Sequence, residues 1–421
     1  MKNLFNIKKG DIISITGAGG KTSLMFFLAN TLRLKGSVLI TTTTKIFLPS
    51  DNNLIFINPE EINNYSPQDN FIHIFIPFIK NNKIHRATDE QINILKSKNF
   101  DFILIEADGS SNKPLKGWKD NEPSISCYST KTIAVVDITC IHKEKNNSTI
   151  HRLPLYTQQF FSENKKISLN DLVRYIDSSL FFKNSVGENY LFFNKIETLD
   201  IFHDFFNISN LINFNSNIYF GSIFKKEIFL FKNITPIILA SGFSKRFNGN
   251  KLNTKLKNGF SILEQTLKNL NSIYFKEKLL IGKDYFFKNL SLKYNFTYID
   301  NKLSQKGQSQ SIISGVKNSS QEGFLFIPGD MPFLTYKTLI KIIFSFEETN
   351  EIIVPIINEQ PSAPVLFPKC YTEKLLKLTG DTGGRNIFKT NKHIKCYFYN
   401  SKEFLDIDTQ EELTRLETLE D

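Results

Sequence analysis

The chain has 421 residues, of which 41% are hydrophobic and 22% charged, with four cysteines and a formal net charge of +10. This length exceeds one ordinary domain, and the composition is that of a folded globular protein, excluding a disordered polymer or a membrane bundle. The positive balance suits anionic small ligands; no basic run is interleaved with a nucleic-acid motif, so nucleic acid is not an expected partner.

Residues 11–16 predict a short apolar strand, and residues 24–32 have helical character. Between them stands Gly17-Ala-Gly19-Gly20-Lys21-Thr22-Ser23. A strand, a glycine loop, Lys-Thr and a helix form the context of a phosphate-binding loop. The backbone N–H groups around Gly17, Gly19 and Gly20 would cradle phosphates at the helix N-terminus. Lys21 would reach the β and γ oxygens, and Thr22 a magnesium ion. Ile15 occupies the position where the usual G-x-x-x-x-G-K-[ST] spacing needs its first glycine, so the loop is a variant and hydrolysis does not follow from it. The plainer alternative is a glycine-rich turn with an unrelated lysine.

Residues 38–40 predict a strand running into Thr41-Thr-Thr-Thr44, and residues 102–105 one that ends in Glu106 and Asp108, a site for metal or water positioning. Phe192-Phe-Asn194-Lys195-Ile-Glu197 is similar to the NKxD base-reading motif of GTPases, with Glu197 in place of Asp. Taken alone, it reads better as a strand end with solvated polar residues. GAGGKTS, TTTTKIF and EADGSSNKPLKGWKDNEP together resemble the YqeC family over about residues 5–225. That resemblance implies an accessory role in maturing selenium-dependent molybdenum hydroxylases, with a hydroxylase apoenzyme as a partner.

A boundary is expected near residues 225–235, where a charged stretch gives way to a new strand at 236–239. The next block is Leu239-Ala240-Ser-Gly242-Phe-Ser-Lys-Arg246-Phe-Asn-Gly-Asn-Lys251. Gly242 lets backbone N–H groups approach an anion, and Arg246 with Lys251 can neutralise a triphosphate. Further blocks follow in order: Gly307-Gln-Ser309-Gln-Ser311, an apolar strand ending Gly329-Asp330-Met331-Pro332, Pro364-Val-Leu-Phe367, Gly380-Asp-Thr-Gly-Gly-Arg385, and Asp406-Ile-Asp408-Thr409. Asp330 at a strand end is the expected first magnesium ligand and Asp408 the second, since magnesium takes one or two carboxylates with phosphates and water. A turn aspartate before Pro332 and an acid near a helix N-terminus are the respective alternatives.

These six blocks resemble the MobA-like nucleotidyltransferases, of the molybdenum cofactor cytidylyltransferase type, over about residues 234–418. The sequence departs from that pattern at Phe247-Asn248, Ser362-Ala363, Gly384 and Gln410. The resemblance implies transfer of a nucleotidyl group to a molybdopterin-type cofactor. CTP rather than another NTP is implied by the LASG form of the first loop. The base is expected near Leu239, Ala240 and Gly242, read by Ser309 or Ser311.

The expected fold is therefore α/β: two three-layer α/β/α domains with mainly parallel sheets. Residues 1–230 would form a P-loop-like domain and residues 231–421 a Rossmann-like nucleotidyltransferase domain. The catalytic residues would be Arg246, Lys251 and Asp330. Two alternatives stay open: a transferase acting on a sugar or alcohol phosphate, and a non-catalytic, nucleotide-regulated cofactor chaperone. The cysteines form no CxxC pair, residues 1–9 lack the apolar core of a secretory signal, and no apolar run approaches a membrane span. A cytoplasmic protein is expected.

Overall fold

The computed structural model of the chain describes residues 4–47, 54–80, 83–242, 251–405 and 407. It divides into two compact units, residues 1–231 and 232–421.

The first unit is built on a nine-stranded sheet. Its strands are β1 (Asp11–Gly17), β2 (Val38–Thr42), β3 (Leu54–Ile57), β4 (Ile72–Phe75), β5 (Phe102–Glu106), β6 (Lys131–Asp137), β7 (Glu188–Asn194), β8 (Ile218–Ser222) and β9 (Glu227–Leu230). They lie in the order β9-β8-β7-β6-β1-β5-β2-β4-β3, all parallel except the edge strand β9. Parallel strands need coverage on both faces, and alternation along β1 provides it. Ile13 and Ile15 join one core with Leu24 and Leu28 of helix α1 (Lys21–Leu32). Ile12 joins the opposite core with Ile92 and Leu95 of helix α2 (Asp89–Ser97). Helix α3 (Leu199–Leu211) sets Phe202 and Phe205 against Phe220 of β8, with ring centroids 5.5 and 4.7 Å apart.

Strand order reverses around β1. The chain goes first to one side of it (β2 to β5) and then to the other (β6 to β9). Such a switch point opens a crevice at the carboxyl ends of the strands, where the glycine loop follows β1.

The second unit has an eight-stranded mixed sheet. Its strands are β10 (Ile234–Ala240), β11 (Leu279–Gly282), β12 (Thr297–Asp300), β13 (Gly323–Pro328), β14 (Ile352–Ile357), β15 (Gln360–Pro361), β16 (Val365–Pro368) and β17 (His393–Phe398). β10, β11, β12 and β13 are parallel, whereas β16 runs antiparallel to both β13 and β14. Helix α4 (Ile262–Leu270) connects β10 to β11, and helix α5 (Gln308–Asn318) connects β12 to β13. Ile237 and Phe326 pack with Ile312 and Val316 of α5. Ile238 and Leu325, alternating to the other face, are also fully buried.

Both units are thus α/β, with sheets covered on two faces. All four cysteines are unpaired, and no helix among the described residues is long and apolar enough to cross a membrane.

The second unit opens on a buried carboxyl group. The backbone N–H of Lys232 donates to Glu347 Oε2 at 3.0 Å, and the Lys232 ammonium lies 3.7 Å from the same oxygen. Burial pushes the Glu347 carboxyl up to about 8, opposed but not offset by the Lys232 charge. The folded state therefore keeps a proton that the unfolded chain releases near 4.5. The stability of this unit should fall as pH rises from about 4.5 to about 8. Urea unfolding of the full chain at pH 5.5 and 7.5 should show that fall, and Glu347→Gln should flatten it.

Candidate functional site

In the first unit, the carboxyl ends of β1 and β5 meet at one buried carboxylate. Asp108, two residues beyond β5, has no solvent exposure. Its Oδ2 accepts the Gly17 N–H at 3.0 Å and the Lys116 ammonium at 3.2 Å. Its Oδ1 lies 3.2 Å from the Lys21 ammonium, an ion-pair contact without hydrogen-bond alignment. Lys21 also donates to the Gly17 carbonyl at 2.7 Å and to Ser110 Oγ at 3.3 Å.

Lys116 is itself fully buried, 4.1 Å from the ring centroid of Trp118 and 3.0 Å from Glu122 Oε2. Arg152 grips Glu122 through both nitrogens, at 2.5 and 2.8 Å. Burial alone would raise the Glu122 carboxyl, but Arg152 and Lys116 hold it below the usual range. Burial, reinforced by the charges of Arg152, Lys116 and Lys113, lowers His151 to about 4. Two buried lysines and one arginine thus surround two fixed carboxylates.

A further acid faces the loop from β5. Thr22 Oγ1 donates to Glu106 Oε2 at 2.6 Å. Burial pushes the Glu106 carboxyl up, opposed by the Lys21 ammonium and the Thr22 bond. A hydroxyl and a carboxylate side by side are hard oxygen donors of the kind magnesium takes. Helix α1 begins directly after Gly20 with no side-chain cap, so its first N–H groups are available to an anion.

The glycines allow close approach. Gly19 has φ +81°, and a Cβ there would lie 2.2 Å from the Asp137 Cβ. Gly20 has φ +133°, and a Cβ there would lie 2.4 Å from Asn194 Nδ2. The loop is therefore pressed against the ends of β6 and β7, where Asn194 donates to the Gly19 carbonyl at 2.9 Å. Gly19, Gly20, Lys21, Thr22 and Glu106 line a cavity of about 1340 Å³, which also reaches Arg152 and Glu197.

In the second unit, Leu239 and Ala240 end β10, beside Asp330 just beyond β13. Ala240 is buried, and Ser241 donates to the Ile281 carbonyl at 3.1 Å. Gly242 is exposed. Lys251 Nζ lies 2.6 Å from Asp330 Oδ2. The turn carrying Asp330 is clamped from α4: Thr266 donates to the Gly329 carbonyl at 3.1 Å, and Asn269 to Pro332 and Leu334 at 2.7 and 3.0 Å.

The Gly307 loop packs on Gly380, where a Cβ on Gly307 would lie 2.3 Å from the Gly380 carbonyl carbon. Ser309 and Ser311 follow in the first turn of α5, both buried. Ser311 Oγ accepts the Asn301 amide at 3.0 Å, and Ser309 Oγ has no hydrogen-bond partner among the described residues. Arg246 and Asp408 lie outside the described residues. Among those described, no group of three or more His, Cys, Asp or Glu side chains is arranged to hold a metal.

The structure thus brings Gly19, Gly20, Lys21 and Thr22 together at one cavity, with Gly17 behind them on Asp108 and Lys21, and Lys251 together with Asp330. Sequence reasoning passed over Asp137, Arg152, Asn269 and Asn301. Asp137 carried a visible signal, as the acid ending an apolar run at 133–136.

Comparison with known proteins agrees with two joined modules. The model of the YqeC protein family matches residues 13–154, and that of the MobA-like NTP transferase domain matches residues 236–395. The "Uncharacterized protein YqeC" of Escherichia coli is 35% identical over 172 residues, covering 39% of this chain and 67% of that protein. The "Probable molybdenum cofactor guanylyltransferase" of Natranaerobius thermophilus is 27% identical over 198 residues, covering 43% of this chain and 93% of that protein. Among solved structures, Rv0371c of Mycobacterium tuberculosis H37Rv is similar at TM-score 0.39 and 20% identity, covering 44% of this chain and 98% of that one. The second half is a nucleotidyltransferase domain. The chain belongs to the YqeC family through its first half, which is joined to a MobA-like NTP transferase domain.

The charge network predicts a stability effect. Asp108→Asn keeps the shape but leaves Lys21 and Lys116 buried without their shared anion. Removing one partner from such a group costs about 3–5 kcal/mol. Denaturant unfolding of the full chain should show the first unit losing stability on that scale, while Lys251→Met leaves that unit unchanged.

Proposed function

We propose that the second half transfers a nucleotidyl group from a nucleoside triphosphate to the phosphate of a molybdopterin-type cofactor. The observation that carries this reading is the Lys251–Asp330 pair at 2.6 Å, with Asp330 two residues past the carboxyl end of β13, in a nucleotidyltransferase domain. The name of the Natranaerobius relative supports the acceptor. A phosphate oxygen of the acceptor attacks the α-phosphorus, the bond to the α–β bridging oxygen breaks, and pyrophosphate leaves.

Positioning and charge neutralisation do most of the work in such a transfer. Lys251 orients the Asp330 carboxylate and, with Arg246, opposes the charge of the triphosphate. Magnesium bound there would neutralise developing charge on the phosphates. Asp330 is 23% exposed and fits as its carboxylate donor, with Asp408 as the second.

CTP is the proposed donor, on the strength of the LASG form of the first loop, with Ser241 at its third position. GTP is the second reading, favoured by the name of the same relative. Ser241 is only 4% exposed and bonded to the Ile281 carbonyl, so it would act through the shape of the loop backbone rather than by touching the base.

For the first half we propose nucleotide binding at the glycine loop, with Lys21 turning from Gly17 and Asp108 to the phosphates. Thr22 and Glu106 would hold a magnesium ion there. This module would assist maturation of a molybdenum hydroxylase, whose apoenzyme is the proposed partner.

Two measurements test the transferase reading. Asp330→Asn should reduce pyrophosphate release from NTP and molybdenum cofactor by at least a hundredfold without unfolding the chain; near wild-type release would remove Asp330 from the reaction. In competition, CTP should be used at least tenfold better than GTP, and Ser241→Gly should narrow that ratio. A wild-type preference for GTP would select the second reading of the base and leave the transferase standing.

A further inference from the structure

The cavity wall on the β7 and β8 side is not needed for holding phosphates. Asn194 ends β7 and its side chain fixes three backbone groups. It donates to the Gly19 carbonyl and accepts the N–H groups of Lys195 and Ile223 at 2.9 and 3.2 Å. Lys195 has φ +70° and reaches back to Asp137 Oδ2 at 2.5 Å. Past this turn, the Glu197 carboxylate lies at the cavity, held through Oε1 by the Ser222 hydroxyl at 2.8 Å. Phe224, 89% exposed, adds an aromatic face to the same wall.

We propose that this wall reads a guanine base, with the Glu197 carboxylate as the specificity-determining group; the inference rests on nucleotide binding at the glycine loop. The sheet supplies the spacing. β7 and β8 lie two and three strands from β1, roughly 10 and 14 Å at the usual strand separation. A base attached through its ribose to phosphates at the loop would extend over that span.

Base chemistry supplies the selectivity. A carboxylate offers about four lone pairs and no donor. Guanine turns two adjacent donors, N1–H and the 2-amino group, toward one edge, and both carboxylate oxygens can accept from them. The bond from Ser222 leaves Oε1 a second lone pair for this. Adenine presents a lone pair at N1, which a carboxylate repels. Cytosine offers one amino group beside a lone pair, and uracil one N–H between carbonyls. A site built for two donors leaves its own acceptors unpaired with the wrong base and rejects it strongly. Phe224 offers a stacking face, and Lys195, tied to Asp137, keeps the turn in position.

The test uses the full chain and reads hydrogen–deuterium exchange at residues 17–22, so that nucleotide held by the second half does not enter the signal. GTP, ATP, CTP and XTP are titrated with magnesium present. GTP should protect this loop at concentrations at least tenfold lower than ATP or CTP. Glu197→Gln keeps the bond from Ser222 but replaces one acceptor by an amide donor. That variant should lose at least tenfold in GTP and gain at least tenfold in XTP, whose C2 carbonyl accepts where guanine donates. Equal protection by GTP and ATP, or an unchanged preference in Glu197→Gln, would overturn the base assignment while nucleotide binding stands. Protection by no nucleotide would overturn the binding reading and this inference together.

Discussion

Asp108 is the constraint on which the first unit depends. One carboxylate with no solvent exposure holds the backbone of the glycine loop, the lysine that begins α1, and a second lysine buried under Trp118. Charges so deep are tolerated only when paired and hydrogen-bonded. The segment from Asp108 to Glu122 therefore cannot wander without stranding a charge. Arg152 extends the same logic to the start of the next helical stretch through Glu122. What looks like a loop region in the sequence is held by ionic contacts together with a short parallel pairing of Leu115-Lys116 with Ile150-His151.

The second unit reaches a similar arrangement by other means. Its carboxylate stands partly in solvent and pairs with Lys251, while its turn is fixed by neutral bonds from Thr266 and Asn269. In both units the candidate site residues lie near the ends of parallel strands, because only there do loops from neighbouring strands converge without crossing the sheet. The first unit spends buried charge on rigidity, and the second uses helix-borne amide and hydroxyl groups.

Much of this was legible in the sequence for a physical reason. Strands such as 11–16 and 102–105 are short apolar runs, and the residues that end them are small or charged, so strand ends and candidate site residues could be marked together. Contacts formed only by folding were not legible. Asn194 meets Gly19 across 175 residues, and Arg152 meets Glu122 across 30. No local pattern encodes such pairings. Ser309 and Ser311 could be recognised as hydroxyls at a helix start, but their burial depends on the Gly380 loop and on Asn301. The antiparallel course of β16 was hidden for the same reason, since a four-residue apolar strand carries no sign of its direction.

The Lys232–Glu347 contact bears on how the chain is made. Lys232 begins the second unit, and its acidic partner is synthesised 115 residues later. On a ribosome adding about 5–20 residues per second, Lys232 waits several seconds for that partner, while the first unit already has its whole sequence. The order of synthesis thus favours completing the first unit before the transferase module can close. A nascent chain stalled before residue 347 would carry one finished half and one without its anchoring carboxylate.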